Sequence, residues 1–190
     1  WEAGSELNAQ NYDTGREIIT YNPDADVIPG GDPEGQGVPF RFPLDYTSPD
    51  ALLELNSTQI AMLMTTPPEA LNTVVVSEIS TNQDYGKDLV DFLRGDETNE
   101  GAGQDFRIRG SVLGDIVNSN PNFVKETTTR FPDGLEAKSF NDFVTATSSR
   151  AGVVYVGAND GMLHAFSETN GAEVLAYVPN AAYEYLSELT

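Results

Sequence analysis

The stretch VVYVGANDGMLHAFSETNGAEVLAYVP, residues 153–179, is the feature that most restricts the fold of this chain. It reads as three short β-strands, because β-branched and aromatic residues alternate between the turn sequences NDG and ETNG. Asn, Asp and Gly tolerate the positive φ angles that a tight hairpin requires. On the middle strand, Met162, His164 and Phe166 are predicted to share one face. The stretch therefore predicts an antiparallel meander.

The third strand is predicted to alternate in the same way, with Val174, Ala176 and Val178 on one face and Leu175 and Tyr177 on the other. A small sheet of this kind exposes its edges and one face unless further elements pack against it. The meander occurs once in the sequence. We therefore expect it to be one blade of a β-propeller whose other blades lie outside these 190 residues.

Loops and short elements are predicted before the meander. Residues 18–21 form a short β-type run, and residues 22–39 are so rich in Pro, Gly and Asp that they predict an exposed loop. A helix is predicted from Ser48, a second short helix is predicted to begin at Thr58, and residues 72–79 are a weak strand candidate.

A third helix is predicted within residues 82–97, with four apolar side chains on one face, Leu89, Val90, Phe92 and Leu93. It is expected to end at Gly95, with Arg94 interacting with its negative end. From Phe106 to residue 124 the pattern favours β-structure, and Asn180 is expected to cap a short terminal helix.

These expectations divide the chain into two segments. Residues 1–105 are predicted to be a loop-rich and helical segment, and residues 106–190 a β segment with one blade at about 140–179 and a short terminal helix. The fold class is thus expected to be mixed but mainly β.

Charge and composition exclude several functions. The chain has 30 acidic and 10 basic residues, a formal net charge of −20, which disfavours binding to nucleic acid or to anionic membranes. No apolar run is long enough to predict membrane insertion. The absence of cysteine excludes disulfides, thiolate metal sites and cysteine nucleophiles.

Several sequence segments resemble PilY-type proteins, the type IV pilus biogenesis factors and pilus-tip adhesins. The blade run GANDGMLHAF, followed by Gly171 and AYVP, is the most specific of them. The others occur in the order of that family, and they are WEAGSEL at 1–7, FLRGD at 92–96 and LGDIVNSNP at 113–121. The resemblance implies a partial β-propeller with a quinoprotein-like blade.

The resemblance also implies a function by surface binding rather than by catalysis. It implies an exported protein at the cell surface, pilus tip or outer membrane, with minor pilins or other pilus components and a host or surface receptor as partners. No cofactor is expected in this chain, whereas calcium could bind in the full-length family member. The blade residues expected to be structural are Gly157, Asn159, Asp160, Gly161, His164 and Gly171.

Two other interpretations stay open, a fragment of a quinoprotein-type dehydrogenase and a purely structural fragment that packs on other chains. Against the enzyme, the chain has one histidine, His164, which is expected to be packed and hydrogen-bonded, and Asp160 is expected to support its own turn. The acidic residues Asp24, Asp26, Asp32 and Glu34 do not follow an EF-hand spacing and predict a solvated loop.

One tripeptide raises a separate binding hypothesis. Arg94, Gly95 and Asp96 spell the sequence that integrins recognise, which requires an exposed loop tip. Because the tripeptide is expected to end a helix, a structural role is favoured.

Overall fold

The computed structural model describes residues 1–25, 35–44, 54–64, 82–127, 129, 131, 132, 134 and 137–190. The helices and strands, in chain order, are α1 (Ala3–Asn8), β1 (Ile18–Asn22), β2 (Gln36–Pro39), α2 (Ser57–Leu63), α3 (Asn82–Arg94), β3 (Asn122–Val124), α4 (Phe140–Thr147), β4 (Val153–Gly157), β5 (Leu163–Ser167), β6 (Glu173–Val178) and α5 (Tyr183–Leu186). Short 3-10 turns, Asn180–Ala182 and Ser187–Leu189, flank α5.

One six-stranded sheet, ordered β2-β1-β6-β5-β4-β3, organises the fold. The predicted meander is confirmed as β4, β5 and β6, and β3 pairs antiparallel with β4 to make a four-stranded antiparallel unit, the size of a propeller blade. The sheet is wider than the sequence predicts, because β1 pairs parallel with β6 and β2 pairs antiparallel with β1. Two of the strands thus come from before residue 105, in the segment expected to be loops and helices.

The two turns of the meander owe their shape to glycine. In the β4–β5 turn only Gly161 has a positive φ, 85°, so Asn159 and Asp160 do not use the left-handed conformation that the sequence suggested. The turn closes through Gly161 N–H to the Ala158 carbonyl. In the β5–β6 turn Gly171 has a φ of 72°, and its N–H donates to the Ser167 carbonyl.

A β-bulge changes the predicted faces of β6. Ala165 pairs with Leu175 but Phe166 pairs with Glu173, so Val174 is an extra residue on this strand. The prediction that Val174 shares a face with Ala176 and Val178 is therefore wrong, because Val174 is exposed whereas the other two are buried. The bulge turns the Glu173 side chain inward instead.

The core lies between one face of the sheet and helices α2, α3 and α5. The predicted apolar face of α3 is confirmed, since Leu89, Val90, Phe92 and Leu93 are all buried. Opposite them, a register row across four strands places Val156, His164, Ala176 and Ile18 side by side, all buried. On the opposite face of the sheet, Leu163 is exposed, whereas Ala165 on the same strand is buried.

Several local predictions are wrong. Asn56, not Thr58, caps α2, in a reciprocal capping box with Gln59. Asn180 does not cap the terminal helix, because its side-chain oxygen accepts from Gln59. Residues 107–121 form no strand, and α1 and α4 are helices that the sequence reading missed.

Other expectations lie wholly or partly outside the described residues. They are the helix from Ser48, the strand at 72–79 and residues 26–34 of the loop predicted at 22–39. The end of that predicted loop is instead strand β2, Gln36–Pro39. Among the described helices, none combines the length and apolar character needed to cross a bilayer.

Candidate functional site

Four charged side chains form a chain of alternating charge inside the blade, which we call the buried ion chain. Arg16 pairs with Glu173 through Nε and Nη2, at 2.7 and 3.0 Å. Glu173 Oε1 lies 2.6 Å from His164 Nδ1, and His164 Nε2 lies 3.0 Å from Asp160 Oδ2. The side chains of Arg16, Glu173 and His164 are at most 1% exposed. Two cations therefore balance two carboxylates in a dry environment.

The electrostatics explain why this arrangement is stable. Burial alone would lower the pKa of His164, but hydrogen bonds to Asp160 and Glu173 outweigh it and raise the pKa to about 9. Burial would raise the pKa of Glu173, whereas the hydrogen bonds from His164 and Arg16 hold it below its usual value. His164 is consequently an imidazolium at neutral pH, held between two carboxylates.

The ion chain is built to hold parts together rather than to react. Both ring nitrogens of His164 face carboxylates, and the residue is fully buried, so it cannot take a proton from a bound substrate. Arg16 Nη1 also donates to the Arg94 carbonyl, at the C-terminal end of α3. Asp160 accepts from the backbone N–H of Met162 and of Gly114. The chain of contacts thus joins α3, the blade and residue 114.

Glycine at position 114 allows the far end of this contact. A Cβ atom there would overlap the backbone nitrogen of Asp160. The Gly114 N–H can therefore donate to Asp160 Oδ2, at 2.8 Å, only because no side chain intervenes. Two more backbone groups at or near the turn are hydrogen-bonded to the same segment. Asn159 N–H donates to the Asp115 carbonyl, and Gly157 N–H donates to Ser119 Oγ.

The side chain of Gln10 pairs with both backbone groups of Glu173, the first residue of β6. Its Oε1 accepts from the Glu173 N–H at 2.7 Å, and its Nε2 donates to the Glu173 carbonyl at 3.2 Å. Buried backbone groups left without partners would cost stability. Gln10 therefore acts as a strand partner at the start of β6, before the pairing of β1 with Ala176 begins.

Trp1 covers the β5–β6 turn. Its Nε1 donates to the Glu168 carbonyl at 3.0 Å, and its ring lies 6.5 Å from that of Phe166. A Cβ atom on Gly171 would overlap the indole. Gly171 therefore serves both the turn and the close approach of the N-terminal segment.

The integrin-type tripeptide is not presented at a loop tip. Arg94 is 1% exposed, and its guanidinium donates to the carbonyls of Phe40, Tyr12 and Asp13. Gly95 has a φ of 118° and ends α3, as the sequence predicts. Arg94 lies in the last turn of α3, as the sequence predicts, and Arg16 donates to the Arg94 carbonyl.

A metal site does not emerge from the described part of the chain. No group of three or more His, Cys, Asp or Glu side chains there is arranged to hold an ion. Asp24 Oδ2 accepts from Asn56 Nδ2, at 2.8 Å, while Asp26, Asp32 and Glu34 lie outside the described residues. A cavity of about 430 Å³ lies between residues 107–115, the β4–β5 turn and Leu189.

Sequence reasoning missed four members of the polar network around His164: Glu173, which contacts the ring, and Arg16, Gln10 and Gly114, which contact its two carboxylate partners. The bulge that turns Glu173 inward has no signal in the alternation of β6, which reads as a regular strand. Arg16 and Gln10 lie more than 150 residues from their partners. The packed state of His164 was foreseeable from its place in an apolar strand, and the support that Asp160 gives its own turn was foreseeable from turn chemistry.

The buried ion chain makes the stability of the fold pH-dependent. Because the pKa of His164 rises from 6.5 unfolded to about 9 folded, its stabilisation is complete below pH 6.5 and is lost as the pH rises through 9. We expect the free energy of unfolding to fall by up to roughly 3 kcal/mol over this range, since one pKa unit corresponds to about 1.4 kcal/mol. Urea titrations from pH 6 to 10 measure it. A His164→Gln variant should be less stable at pH 6.5 and nearly flat over the same range; a parallel decline would contradict the assignment.

Comparison with known proteins agrees with the sequence resemblance. Residues 113–186 match the family model described as the PilY1 beta-propeller domain. Over 108 residues, 55% of this chain, the sequence is 45% identical to the type IV pilus biogenesis factor PilY1 of Pseudomonas aeruginosa strain PAK. It is 44% identical over 108 residues, 53% of the chain, to a PilY1 homolog of Xylella fastidiosa.

These matches cover a small part of the relatives. The aligned stretch is 9% of the Pseudomonas protein and 9% of the Xylella protein. No solved structure gave a significant match. The resemblance to PilY-type proteins is thereby confirmed over the blade, whose four antiparallel strands all lie within residues 113–186.

Proposed function

We propose that this chain is a binding module of a type IV pilus biogenesis factor, exported and displayed at the cell surface or pilus tip. The observation that carries the proposal is the match of residues 113–186 to the PilY1 beta-propeller domain, together with 45% identity to a PilY1 protein. The finer role is adhesion and pilus assembly through contacts with minor pilins, other pilus components or a surface receptor.

The structure supports a binding role through its rigidity. The buried ion chain, Gln10 and Trp1 hold both turns of the blade, so residues on the connecting loops project from a fixed frame. Recognition commonly uses loops on such a scaffold. Within the segments 23–39 and 126–142, the parts that precede β2 and α4 are the proposed contact loops. The exposed surface at Leu163 is proposed to contact a neighbouring blade.

Catalysis is not proposed for this chain. The one histidine has both nitrogens engaged by carboxylates inside the core, and no cysteine is present. A quinoprotein-type fragment would show dye-linked alcohol oxidation when supplied with quinone cofactor and calcium, and we expect none. Any calcium requirement of a full-length family member is proposed to reside outside this chain.

A chimera tests the pilus role. The 108-residue stretch of PilY1 in strain PAK would be replaced by the aligned stretch of this chain, and surface pili and twitching motility measured. We expect piliation to be retained, because the exchanged segments share 45% of their residues. A matched chimera with Glu173→Ala should lose it through misfolding of the blade. If the unmutated chimera accumulates normally but makes no pili, the proposed role is wrong.

A further inference from the structure

An unusually long connection joins two neighbouring strands of the blade. β3 and β4 are antiparallel neighbours, yet residues 125–152 lie between them. Hairpin connections normally take about 2–5 residues, and long loops in compact domains usually serve a function. The turns on the other side of β4 and between β5 and β6 are short. The insertion therefore calls for an explanation beyond closing the sheet.

Helix α4, within this insertion, carries aromatic side chains that it does not bury. Thr147 is the only buried residue of the helix. Phe140 packs edge-on against Phe131, with ring centroids 4.9 Å apart, and lies 5.6 Å from the ring of Phe143. Phe131 is 51% exposed and Phe143 is 47% exposed. We call these three residues the aromatic patch, and contiguous exposed apolar surface of this kind marks interaction sites.

The charge around the aromatic patch differs from the rest of the chain. Residues 125–150 contain four basic residues, Lys125, Arg130, Lys138 and Arg150, and four acidic residues, Glu126, Asp133, Glu136 and Asp142. The insertion is therefore neutral, and the whole net charge of −20 lies elsewhere. Lys138 and Arg150, which bracket α4 in the sequence, are both exposed. An acidic partner would meet repulsion over most of this protein but not here.

We propose that the aromatic patch is the docking surface for an amphipathic segment of a partner protein whose apolar side chains are flanked by carboxylates. Phenylalanine rings offer apolar contact without a hydroxyl or N–H group to direct hydrogen bonds, which suits an apolar side chain. Exposed Lys138 and Arg150 supply the counter-charges for the flanking carboxylates. A second copy of the chain is disfavoured as the occupant, because two chains of charge −20 repel each other.

This assignment deepens the binding role proposed above, and it is tested on the purified 190-residue chain so that its failure is separate from the piliation result. The probes are two labelled helical peptides of equal length with the same leucine face, one with glutamate and one with lysine on the flanking positions. Fluorescence anisotropy measures their binding. We expect the glutamate peptide to bind, and we expect the Phe143→Ser substitution to weaken its binding affinity at least tenfold. Tyr185→Ser, which removes an exposed aromatic from α5, should leave it unchanged.

Charge variants and salt sharpen the test. A Lys138→Glu, Arg150→Glu double variant should bind the glutamate peptide at least tenfold more weakly than the unsubstituted chain. The lysine peptide should bind through the acidic remainder of the chain, should be insensitive to Phe143→Ser, and should be released at about 0.5 M salt. Three results would each overturn the proposal. The first is that the glutamate peptide does not bind. The second is that Tyr185→Ser weakens peptide binding as much as Phe143→Ser does. The third is a concentration-dependent dimerisation that Phe143→Ser abolishes.

Discussion

Replacing Glu173 by alanine should lower the free energy of unfolding by about 3–5 kcal/mol, because it leaves two buried cations without their shared anion. Arg16 would lose both of its carboxylate contacts, and His164 would keep only Asp160. The imidazolium would then be less favoured, so the pKa of His164 should fall and the decline in stability above pH 6.5 should shrink. Urea unfolding at pH 7, followed by the fluorescence of Trp1 and by circular dichroism, measures the change.

A matched surface variant separates burial from charge. Glu168→Ala removes a carboxylate that pairs with Lys125 at 2.6 Å, but both side chains are about one-third exposed. Exposed pairs contribute about 0–1 kcal/mol, so this variant should be close to wild type. Equal losses for Glu173→Ala and Glu168→Ala would show that the buried ion chain has no special role in the fold.

Replacing Arg94 by methionine should also destabilise the protein by about 3–5 kcal/mol. Arg94 donates to the carbonyls of Phe40, Tyr12 and Asp13, and methionine fills similar volume but donates nothing. Burial lowers the pKa of Arg94 to about 10, which shows that its buried charge carries a desolvation cost. Methionine removes that cost, but the three carbonyls lose their charged hydrogen-bond donor, and this loss is expected to dominate. Thermal and urea unfolding at pH 7 measure the difference.

Asp96→Glu is the control for this variant, and it also tests the integrin-type hypothesis. Asp96 Oδ1 accepts from Thr98 N–H and Oγ1 at the surface, so lengthening the side chain should cost under about 1 kcal/mol. Integrin-dependent attachment should not change in Asp96→Glu if the tripeptide is structural. A large loss of attachment in this well-folded variant would establish a recognition role that Arg94→Met alone cannot show.

The sequence predicted those parts of the fold that depend on local patterns. Strands β4–β6 and helix α3 follow from alternation and from one apolar face, and Gly95 and Gly161 follow from the chemistry of turns and helix ends. The parts that were missed depend on distant partners. Residues 106–121 have strand-like composition but pair with no strand, because side chains such as Arg109, over the ring of Phe92, hold them in an irregular path.

The same reasoning applies to the candidate site. Asp160 and His164 were singled out because they lie in a recognisable turn and strand. The partners Arg16 and Glu173 could not be identified from the sequence. Arg16 comes close to Glu173 only through the pairing of β1 with β6, and Glu173 faces the core only because of the bulge. The aromatic patch was visible in sequence only as a turn-rich connection, since the helix that displays it was not predicted.

The parallel pairing of β1 with β6 has a consequence for the order of folding. Ile18 lies beside Ala176, and Thr20 Oγ1 donates to the Val178 carbonyl, 158 residues away. Contacts of such separation slow folding, because a long loop has to close before they form. During synthesis β1 must therefore wait until β6, Glu173–Val178, has emerged before the two strands can pair. Until then the unpaired edge of β1 is open to misassembly, so we expect correct folding of this segment to benefit from a chaperone.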